Sequence, residues 1–559
     1  MASLLCLLVR REDREEDKCI IKKTISMTRP SKIIPTIYLL TIVMAILFHS
    51  NQSLKILALP YGVCRSSRTM NMEKLVTFLA TNGHEITLYV QDTYNKSMTN
   101  RDFTKLKIKF IHFKSNGILN LGVPYCQNFN HVDRYIKSSS YTENMKLVNQ
   151  CYVYCNLMLA DKTALHRLEE ENFDLILLDM LDLCRFFLID HLSKPAIGLS
   201  SVTCISPNKE VPCSPAYVPS TRLPYTNNMT FFQRVGNTVF QLLDFALAAW
   251  QSSQWEHIRT KNNVSGSLPF QDTFELVSMK LIKSDPAIDY PNPSTPNLVF
   301  IGSFFIETVK PLAEDLEDFM RSSDKHGVIV MSFGSQVNYF PALHGEMFAE
   351  AFARLPQKVI WRYQGNVPRY LGNNTKLLPW LPQNDLLGHP QTKLFVSHCG
   401  IGGVHGAAYY GVPIVAIPLA RDQPYFSQLI SEHLNMGVSL DYVTLTSDDL
   451  YKAITEVLHN PKYRENAQRV SSRFRDQLVS SEEKILHTVN YVHKHDGAAH
   501  LKSGALMYTW YQHLLLDVIV FILMVLVAFF LCVWCLCKCV YNYCCGRWCT
   551  KSRRKEKAS

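Results

Sequence analysis

The stretch FVSHCGIGGVHGAAYYGVPIVAIPLARDQ, residues Phe395 to Gln423, decides the fold class of this chain. An apolar strand, Lys393–Val396, runs into a glycine-rich turn, a short helix and a second apolar strand, Pro413–Pro418. This order is typical of an open parallel sheet, which binds ligands beyond the carboxyl ends of its strands. Because glycine-rich turns and helix N-termini present backbone N–H groups, the stretch predicts an α/β fold with a phosphate site here.

Particular side chains of this stretch suit a sugar nucleotide. His398 can donate a hydrogen bond to a diphosphate, and Gly400 leaves the backbone of the turn open to it. Asp422 and Gln423, just beyond the second strand, suit sugar hydroxyls.

Two upstream segments add groups of the same kind. Trp380 and Gln383 lie in WLPQNDLLGHP and offer a flat aromatic surface and an amide, which together suit a nucleoside base. Ser335 ends the turn SFGS after the apolar strand Val328–Met331 and could contact a diphosphate. Ordinary core packing of Trp380 and a generic turn serine at Ser335 are the alternative interpretations.

Together these motifs resemble the donor site of UDP-glycosyltransferases, the family that includes the UDP-glucuronosyltransferases. The resemblance implies a GT-B-like fold and inverting displacement at the anomeric carbon, with uracil on Trp380 and ribose or uracil on Gln383. Two positions depart from the family pattern. Gly406 stands where the family carries the Glu that binds the ribose hydroxyls, and Gly402 stands where many members have Asn near the phosphates. His405 is a neighbouring group that could fill part of the gap at Gly406.

The catalytic base is a further departure. Family members use a histidine in the loop after the first strand, oriented by an aspartate, for which Asp179 has the matching position. The loop after Lys55–Leu59 has no histidine, and either Arg68 or Ser66 occupies its place. Neither side chain can act as the base. His84 matches a structural position of the family.

Two functional hypotheses therefore remain. The first is an active UDP-sugar transferase that acts on lipophilic acceptors bound by the N-terminal domain. The missing base need not abolish its activity, because an acidic acceptor such as a phenol or carboxylate, or an amine, needs little help from a base. The second is a catalytically silent relative that binds ligands or partners a working transferase. A receptor ectodomain would also fit one membrane span, but it does not explain the donor motifs.

The charge distribution argues for a membrane and against nucleic acid. The net charge is +10, but residues 538–559 alone carry seven basic residues against one acidic residue, so the rest is close to neutral. This tail follows Val518 to Cys537, twenty residues without a charge, which matches the thickness of a bilayer. Basic residues on that side predict a cytosolic tail, and Lys555 and Lys557 resemble an endoplasmic-reticulum retrieval signal.

The amino end predicts entry into the secretory pathway. A short basic segment from Met27 and the apolar run Ile33 to Phe48 indicate a signal peptide, so translation could start at Met1 or at Met27. The predicted protein is a type I membrane protein of the endoplasmic reticulum with a lumenal body. The sequons expected to carry glycans are Asn95, Asn228, Asn263 and Asn373.

The domain prediction is α/β, with two Rossmann-like doubly wound domains facing a cleft and one C-terminal transmembrane helix. Its divisions are an N-terminal extension (1–26), a signal peptide (27–52), an acceptor-binding domain (53–284), a Pro-rich linker (285–297), a UDP-sugar-binding domain (298–495), a juxtamembrane segment (496–513), a transmembrane helix (514–537) and a basic tail (538–559).

The expected ligands follow from the resemblance. They are UDP-glucuronate or UDP-glucose as co-substrate and a small lipophilic acceptor, with no cofactor and no metal. Arg421 could pair with a uronate carboxylate or be a surface residue. Tyr152-Val153-Tyr154 and Phe186-Phe187 could line an apolar acceptor pocket or belong to the core. Association with itself or with related transferases is a further expectation.

Overall fold

The computed structural model describes residues 53–62, 67–92, 94, 106–115, 132–137, 141–204, 210–337 and 339–556. The predicted extension and signal peptide, Ser66 and Asn95 lie outside the described residues. So do the side chains of the basic tail beyond Tyr543.

The described chain forms two sheets in which every strand pairs in parallel with its neighbours. The first sheet has the order β3-β2-β1-β4-β5-β6-β7, and the second has the order β10-β9-β8-β11-β12-β13. The strands are β1 (Lys55–Leu59), β2 (Glu85–Gln91), β3 (Ile108–Phe113), β4 (Leu175–Asp179), β5 (Ala196–Ser200), β6 (Val277–Ile282), β7 (Leu298–Phe300), β8 (Val328–Ser332), β9 (Lys358–Arg362), β10 (Thr375–Leu378), β11 (Thr392–Ser397), β12 (Ile414–Ala416) and β13 (Gly437–Ser439).

Helices connect the strands and cover both faces of each sheet. They are α1 (Ser67–Thr81), α2 (Val132–Lys137), α3 (Tyr141–Ala160), α4 (Lys162–Glu170), α5 (Phe186–Leu192), α6 (Phe231–Lys261), α7 (Glu314–Arg321), α8 (Ala342–Ala353), α9 (Gln383–Gly388), α10 (Ile401–Tyr410), α11 (Gln423–Gln428), α12 (Ser447–His459), α13 (Pro461–Arg475), α14 (Ser481–Lys494), α15 (Trp510–His513) and α16 (Leu516–Glu556).

The central strands are almost entirely apolar, with a polar residue only at the carboxyl end, because both of their faces are covered. Every residue of β4, β5 and β8 is buried, as expected for parallel sheets between layers of helices. Two disulfides, Cys155–Cys184 and Cys204–Cys213, lie in the first domain. The predicted fold class, two doubly wound domains, is confirmed.

The predicted boundary between the domains is wrong. The Pro-rich stretch 285–297 does not link the domains, because the strands on either side of it, β6 and β7, are neighbours in the first sheet. The chain leaves the first sheet only after Phe300 and starts the second at Val328. The prolines mark a break in regular structure, but they carry no information about which sheet the next strand joins.

The carboxyl end of the body returns to the first domain. Helix α14, assigned in the prediction to the second domain, packs on the first sheet through Ile485, Val489 and Val492. The segment after β6 also contacts the second domain, where the Tyr425 hydroxyl donates to Asp289 Oδ1 at 2.6 Å. The first domain therefore holds a helix that the prediction gave to the second, and the predicted linker contacts the second domain without joining the two sheets.

One helix among the described residues is long and apolar enough to cross a membrane. The candidate span, Leu516–Tyr543, contains an 18-residue window with a mean hydropathy of 3.2 and is exposed along its length. The prediction placed its start at residue 514, but a left-handed residue, Leu515, precedes the helix.

Candidate functional site

The candidate site lies where the carboxyl ends of the two sheets approach each other. Asp179 ends β4 and Lys283 follows β6 in the first sheet, while His398 follows β11 in the second. Asp422 precedes α11 in the second domain. The charges of Asp179, Asp422 and Arg68 all act on Lys283, which places groups from both domains within electrostatic range of one another.

On the first domain's side, Arg68 forms an ion pair with Asp179. The guanidinium Nη1 lies 2.7 Å from Asp179 Oδ1, the Asp179 side chain is 1% exposed and the Arg68 side chain is 23% exposed. The backbone N–H of Leu181 donates to the same oxygen at 2.9 Å. Of the two predicted occupants of the base position, the structure therefore brings Arg68 to Asp179. A guanidinium stays protonated, so this pair can orient or attract an anion but cannot accept a proton.

The other first-domain candidates belong to the core. The backbone N–H of Leu54 donates to Nδ1 of His84 at 3.3 Å, and burial lowers the pKa of this imidazole. Tyr154, Phe186 and Phe187 are fully buried in the core cluster of the first domain. The core interpretation of these aromatic residues therefore holds.

On the second domain's side, His398 lies between two glycines. A Cβ atom at Gly334 would come within 2.7 Å of the imidazole, and one at Gly400 within 2.6 Å, so neither position has room for a side chain. Burial lowers the pKa of His398 to about 4, which keeps the ring neutral at pH 7. Ser335 is half-buried in the turn next to Gly334.

Gly400 is the N-cap of α10 and adopts an extended conformation. At the start of this ten-residue helix the Gly403 N–H donates to the Gly400 carbonyl at 2.9 Å, whereas the N–H groups of Ile401 and Gly402 have no partner within the helix, and the helix dipole places partial positive charge here. A neutral imidazole and a helix N-terminus on one edge form a site that suits an anion.

Trp380 presents one open aromatic face next to this edge. The Arg362 guanidinium covers the ring at 4.8 Å from its centroid, while 56% of the residue remains exposed. Gln383 begins α9 and is half-buried. A ring that is fixed on one face and open on the other suits the stacking of a planar base.

The structure uses Gln423 differently from the prediction. The side-chain oxygen accepts from the N–H groups of Leu419 and Ala420 at 2.8 and 3.1 Å, and Nε2 donates to the Tyr135 hydroxyl at 2.9 Å. The amide thus holds the loop after β12 and binds α2, instead of being fully available to a sugar. The neighbouring Asp422 is half-buried, and burial raises the pKa of its carboxyl.

Gly402 and Gly406, the two glycines that depart from the family's donor-site pattern, lie on α10, and so does His405. A Cβ atom at Gly406 would lie 3.2 Å from Leu387 Cδ1, so a longer side chain there must displace Leu387 slightly. His405 is 2% exposed, packs edge-on against Phe474, and has no hydrogen-bond partner on either ring nitrogen among the described residues.

Sequence reasoning missed Lys283 and Tyr135. Lys283 could have been found, because it directly follows the fully buried strand β6, where parallel sheets place ligand-binding residues. Tyr135 lies on the short helix α2, and the Arg421 guanidinium packs over its ring at 5.5 Å from the ring centroid. No sequence pattern signals that α2 crosses to the second domain, where Val132 and Tyr135 join its core.

A family model described as UDP-glucoronosyl and UDP-glucosyl transferase matches residues 55–551. The chain belongs to this family. This UDP-glycosyltransferase is 34% identical over 392 residues to the 2-hydroxyacylsphingosine 1-beta-galactosyltransferase of Rattus norvegicus, a match that covers 69% of this chain and 72% of the relative. It is 31% identical over 498 residues to the UDP-glucuronosyltransferase 1A6 of Homo sapiens, covering 88% and 92% of the two chains.

Solved structures show that this UDP-glycosyltransferase shares its fold with distant glycosyltransferases. Os79 from O. sativa, solved in complex with U2F and trichothecene, aligns with a TM-score of 0.56 at 17% identity, over 78% of this chain and all of that chain. The glycotransferase of kitacinnamycin aligns with a TM-score of 0.54 at 18% identity, over 79% and 99% of the two chains. At this level of identity the likeness shows the GT-B architecture alone.

Proposed function

We propose that this protein transfers a hexosyl group from a UDP-sugar to a small lipophilic acceptor, with inversion of configuration. The observation that carries the proposal is the set of groups that line the cleft. The second domain contributes an anion site at the start of α10, an open aromatic face at Trp380 and the half-buried Asp422. The first domain contributes the Arg68–Asp179 pair.

In this proposal the second domain holds the donor. Uracil stacks on the open face of Trp380, and Gln383 contacts uracil or ribose. The N–H groups of α10, with Ser335 and the neutral His398, bind the diphosphate. Asp422 accepts hydrogen bonds from the sugar hydroxyls, and Gln423 supports the loop that positions it.

The first domain determines which acceptors react. Because Arg68 occupies the base position, we propose that the acceptor arrives already ionised, as a phenolate or a carboxylate, and that the guanidinium attracts its charge. Binding both substrates in the correct orientation can itself supply a large part of the barrier reduction. An aliphatic alcohol is a far weaker acid than a phenol, whose pKa is about 10, so it forms almost no alkoxide at pH 7 and would react poorly.

The sugar is proposed only as a hexose. Glucuronate and glucose are the expected donors, and the relatives' names also include a galactosyltransferase. Arg421, exposed and stacked on Tyr135, is placed where its charge reaches Asp422, and for UDP-glucuronate as the donor we propose it as the partner of the uronate carboxylate.

For the location we propose a single-pass type I protein of the endoplasmic reticulum with a lumenal catalytic body. The candidate span Leu516–Tyr543 and the basic residues after it support this orientation. Asn228, Asn263 and Asn373 are exposed and accessible to glycosylation.

A transfer assay tests the proposed function. The detergent-solubilised full chain is incubated with UDP-glucuronate, UDP-glucose or UDP-galactose and with a phenol or an aliphatic alcohol of similar size, and products are identified by mass spectrometry. We expect a phenol glycoside from one donor, and inversion shows as a β-linked product from the α-linked donor. A protein that binds UDP yet forms no glycoside from any pair would support the catalytically silent alternative instead.

A further inference from the structure

Lys283 is a buried cation without a counter-ion of its own. It follows β6 at the carboxyl edge of the first sheet and is 4% exposed. No hydrogen bond or ion pair reaches its ammonium from the described part of the chain, and its closest aromatic neighbour is Phe305, with the ring centroid 5.2 Å from Nζ. A buried charge normally needs a partner, so an anionic ligand is the natural candidate.

The ammonium lies against the first turn of α10, although Lys283 belongs to the other domain. Its Nζ is 3.7 Å from the position that a Cβ atom at Gly402 would take. The N-terminus of a helix carries partial positive charge, so two like charges meet at this point. An anion bound between them would relieve both.

The charges of Asp422 and Asp179 raise the pKa of Lys283, but neither carboxylate forms an ion pair with its ammonium among the described contacts, and the net shift is downward. Burial is the main cause that lowers the pKa of this lysine, to about 8, and the charge of Arg68 contributes in the same direction. Asp179 is already paired with Arg68. The other titratable groups that face it are Lys74, Asp422 and the neutral His405.

We propose that Lys283 binds the diphosphate of the UDP-sugar across the cleft, at the N-terminus of α10, in place of the side chain missing at Gly402. The inference rests on the proposed function and adds to it a ligand-binding residue from the first domain. It also gives the donor a bond to each domain, so that donor binding would draw the two domains together.

The position of Lys283 assigns it to the leaving group. In an inverting displacement the acceptor oxygen forms its bond to the anomeric carbon from the face opposite the diphosphate. The bond from that carbon to the phosphate oxygen breaks, and the electron pair remains on the oxygen. The ammonium stabilises this added negative charge, while an ionised acceptor brings no proton that must be removed.

Binding of the diphosphate should raise the pKa of Lys283. Below about pH 8 the lysine is protonated in both the free and the bound protein, so affinity does not change with pH through this group. Above pH 8 the free protein loses the proton and the complex keeps it, so the affinity for UDP falls by at most about tenfold per pH unit.

The test compares uridine, UMP and UDP as ligands of the full chain and of Lys283→Met, by titration calorimetry. We expect the variant to bind uridine like the parent and UDP about 10- to 100-fold more weakly, because a charge-assisted hydrogen bond is lost. Lys283→Arg should restore most of the affinity. Lys74→Met, which removes another cation of the same cleft edge, should leave UDP binding nearly unchanged.

Equal UDP affinity in the parent and in Lys283→Met would overturn the inference. If the variant does not fold, the pH dependence of UDP binding to the parent decides, and a constant affinity from pH 7 to 9.5 would overturn it. If the parent binds neither uridine nor UDP, the proposed function itself fails.

Discussion

Replacing Arg68 with histidine should create a general base in this cleft. Arg68 already lies at 2.7 Å from Asp179, and Asp179 is the buried carboxylate that would orient an imidazole. A positioned base contributes roughly 10²- to 10⁴-fold to the rate of proton abstraction. We therefore expect Arg68→His to increase transfer to an aliphatic alcohol by up to that factor and to leave transfer to a phenolate unchanged or lower.

The substitution should not unfold the protein. It removes a charge-assisted hydrogen bond to Asp179, which contributes about 1.5–3 kcal/mol, and an imidazole N–H can replace part of it. The loss is small beside a total stability of about 5–15 kcal/mol. Thermal unfolding of the parent and the variant checks this point.

The assay measures kcat/KM for a phenol and for an alcohol of similar size between pH 6 and 9. In Arg68→His the rate on the alcohol should rise as pH rises through the imidazole pKa, which Asp179 shifts upward, because only the neutral ring accepts a proton. Arg68→Gln is the matched control, since its amide can donate to Asp179 but is not a base. Equal alcohol rates for the two variants, with UDP binding intact in both, would refute the reasoning.

Three further predictions concern the second domain. Gly406→Glu should strengthen UDP binding about five- to 150-fold by adding about 1–3 kcal/mol of hydrogen bonds to ribose. Because Leu387 must shift, Gly406→Ala is the control for packing. An equal gain in affinity for 2′,3′-dideoxy-UDP would contradict the ribose contact. Trp380→Ala should cost about 1–3 kcal/mol of uridine affinity in calorimetry and Trp380→Phe much less, as stacking requires; equal losses would contradict it. His405 keeps its neutral form in the folded protein, where burial lowers its pKa from 6.5 to about 3, so the parent should lose about 1.4 kcal/mol of unfolding free energy per pH unit from this group as pH falls from 6 to 4. Denaturant unfolding of His405→Phe should lack this part of the loss. Equal pH dependence of the unfolding free energy in the parent and the variant would exclude it.

The sequence predicted the sheet architecture because parallel strands carry their own signature. Runs such as Leu175–Asp179 and Val328–Ser332 are apolar up to a polar last residue, and polar residues of the site lie at or just beyond these carboxyl ends. The family resemblance left Arg68 and Ser66 as alternatives at the base position; the structure places Arg68 against Asp179, and Ser66 lies outside the described residues.

The remaining features depend on contacts between distant parts of the chain. The pairing of β7 with β6, the return of α14 and the crossing of α2 are tertiary choices that local periodicity does not encode. Gln423 was read as a sugar ligand from its motif, whereas its hydrogen bonds to Leu419, Ala420 and Tyr135 are set by the loop and by the other domain.

The most direct test of the account is ligand-induced thermal stabilisation of the full chain by UDP, UDP-glucuronate, UDP-glucose and UDP-galactose. A ligand that binds only the native state adds about 2.7 kcal/mol at 100 times its dissociation constant. The account predicts a clear rise in melting temperature with UDP and with at least one UDP-sugar, even though Gly406 cannot contact ribose. A folded protein that shows no shift with any of these ligands at millimolar concentration would contradict it.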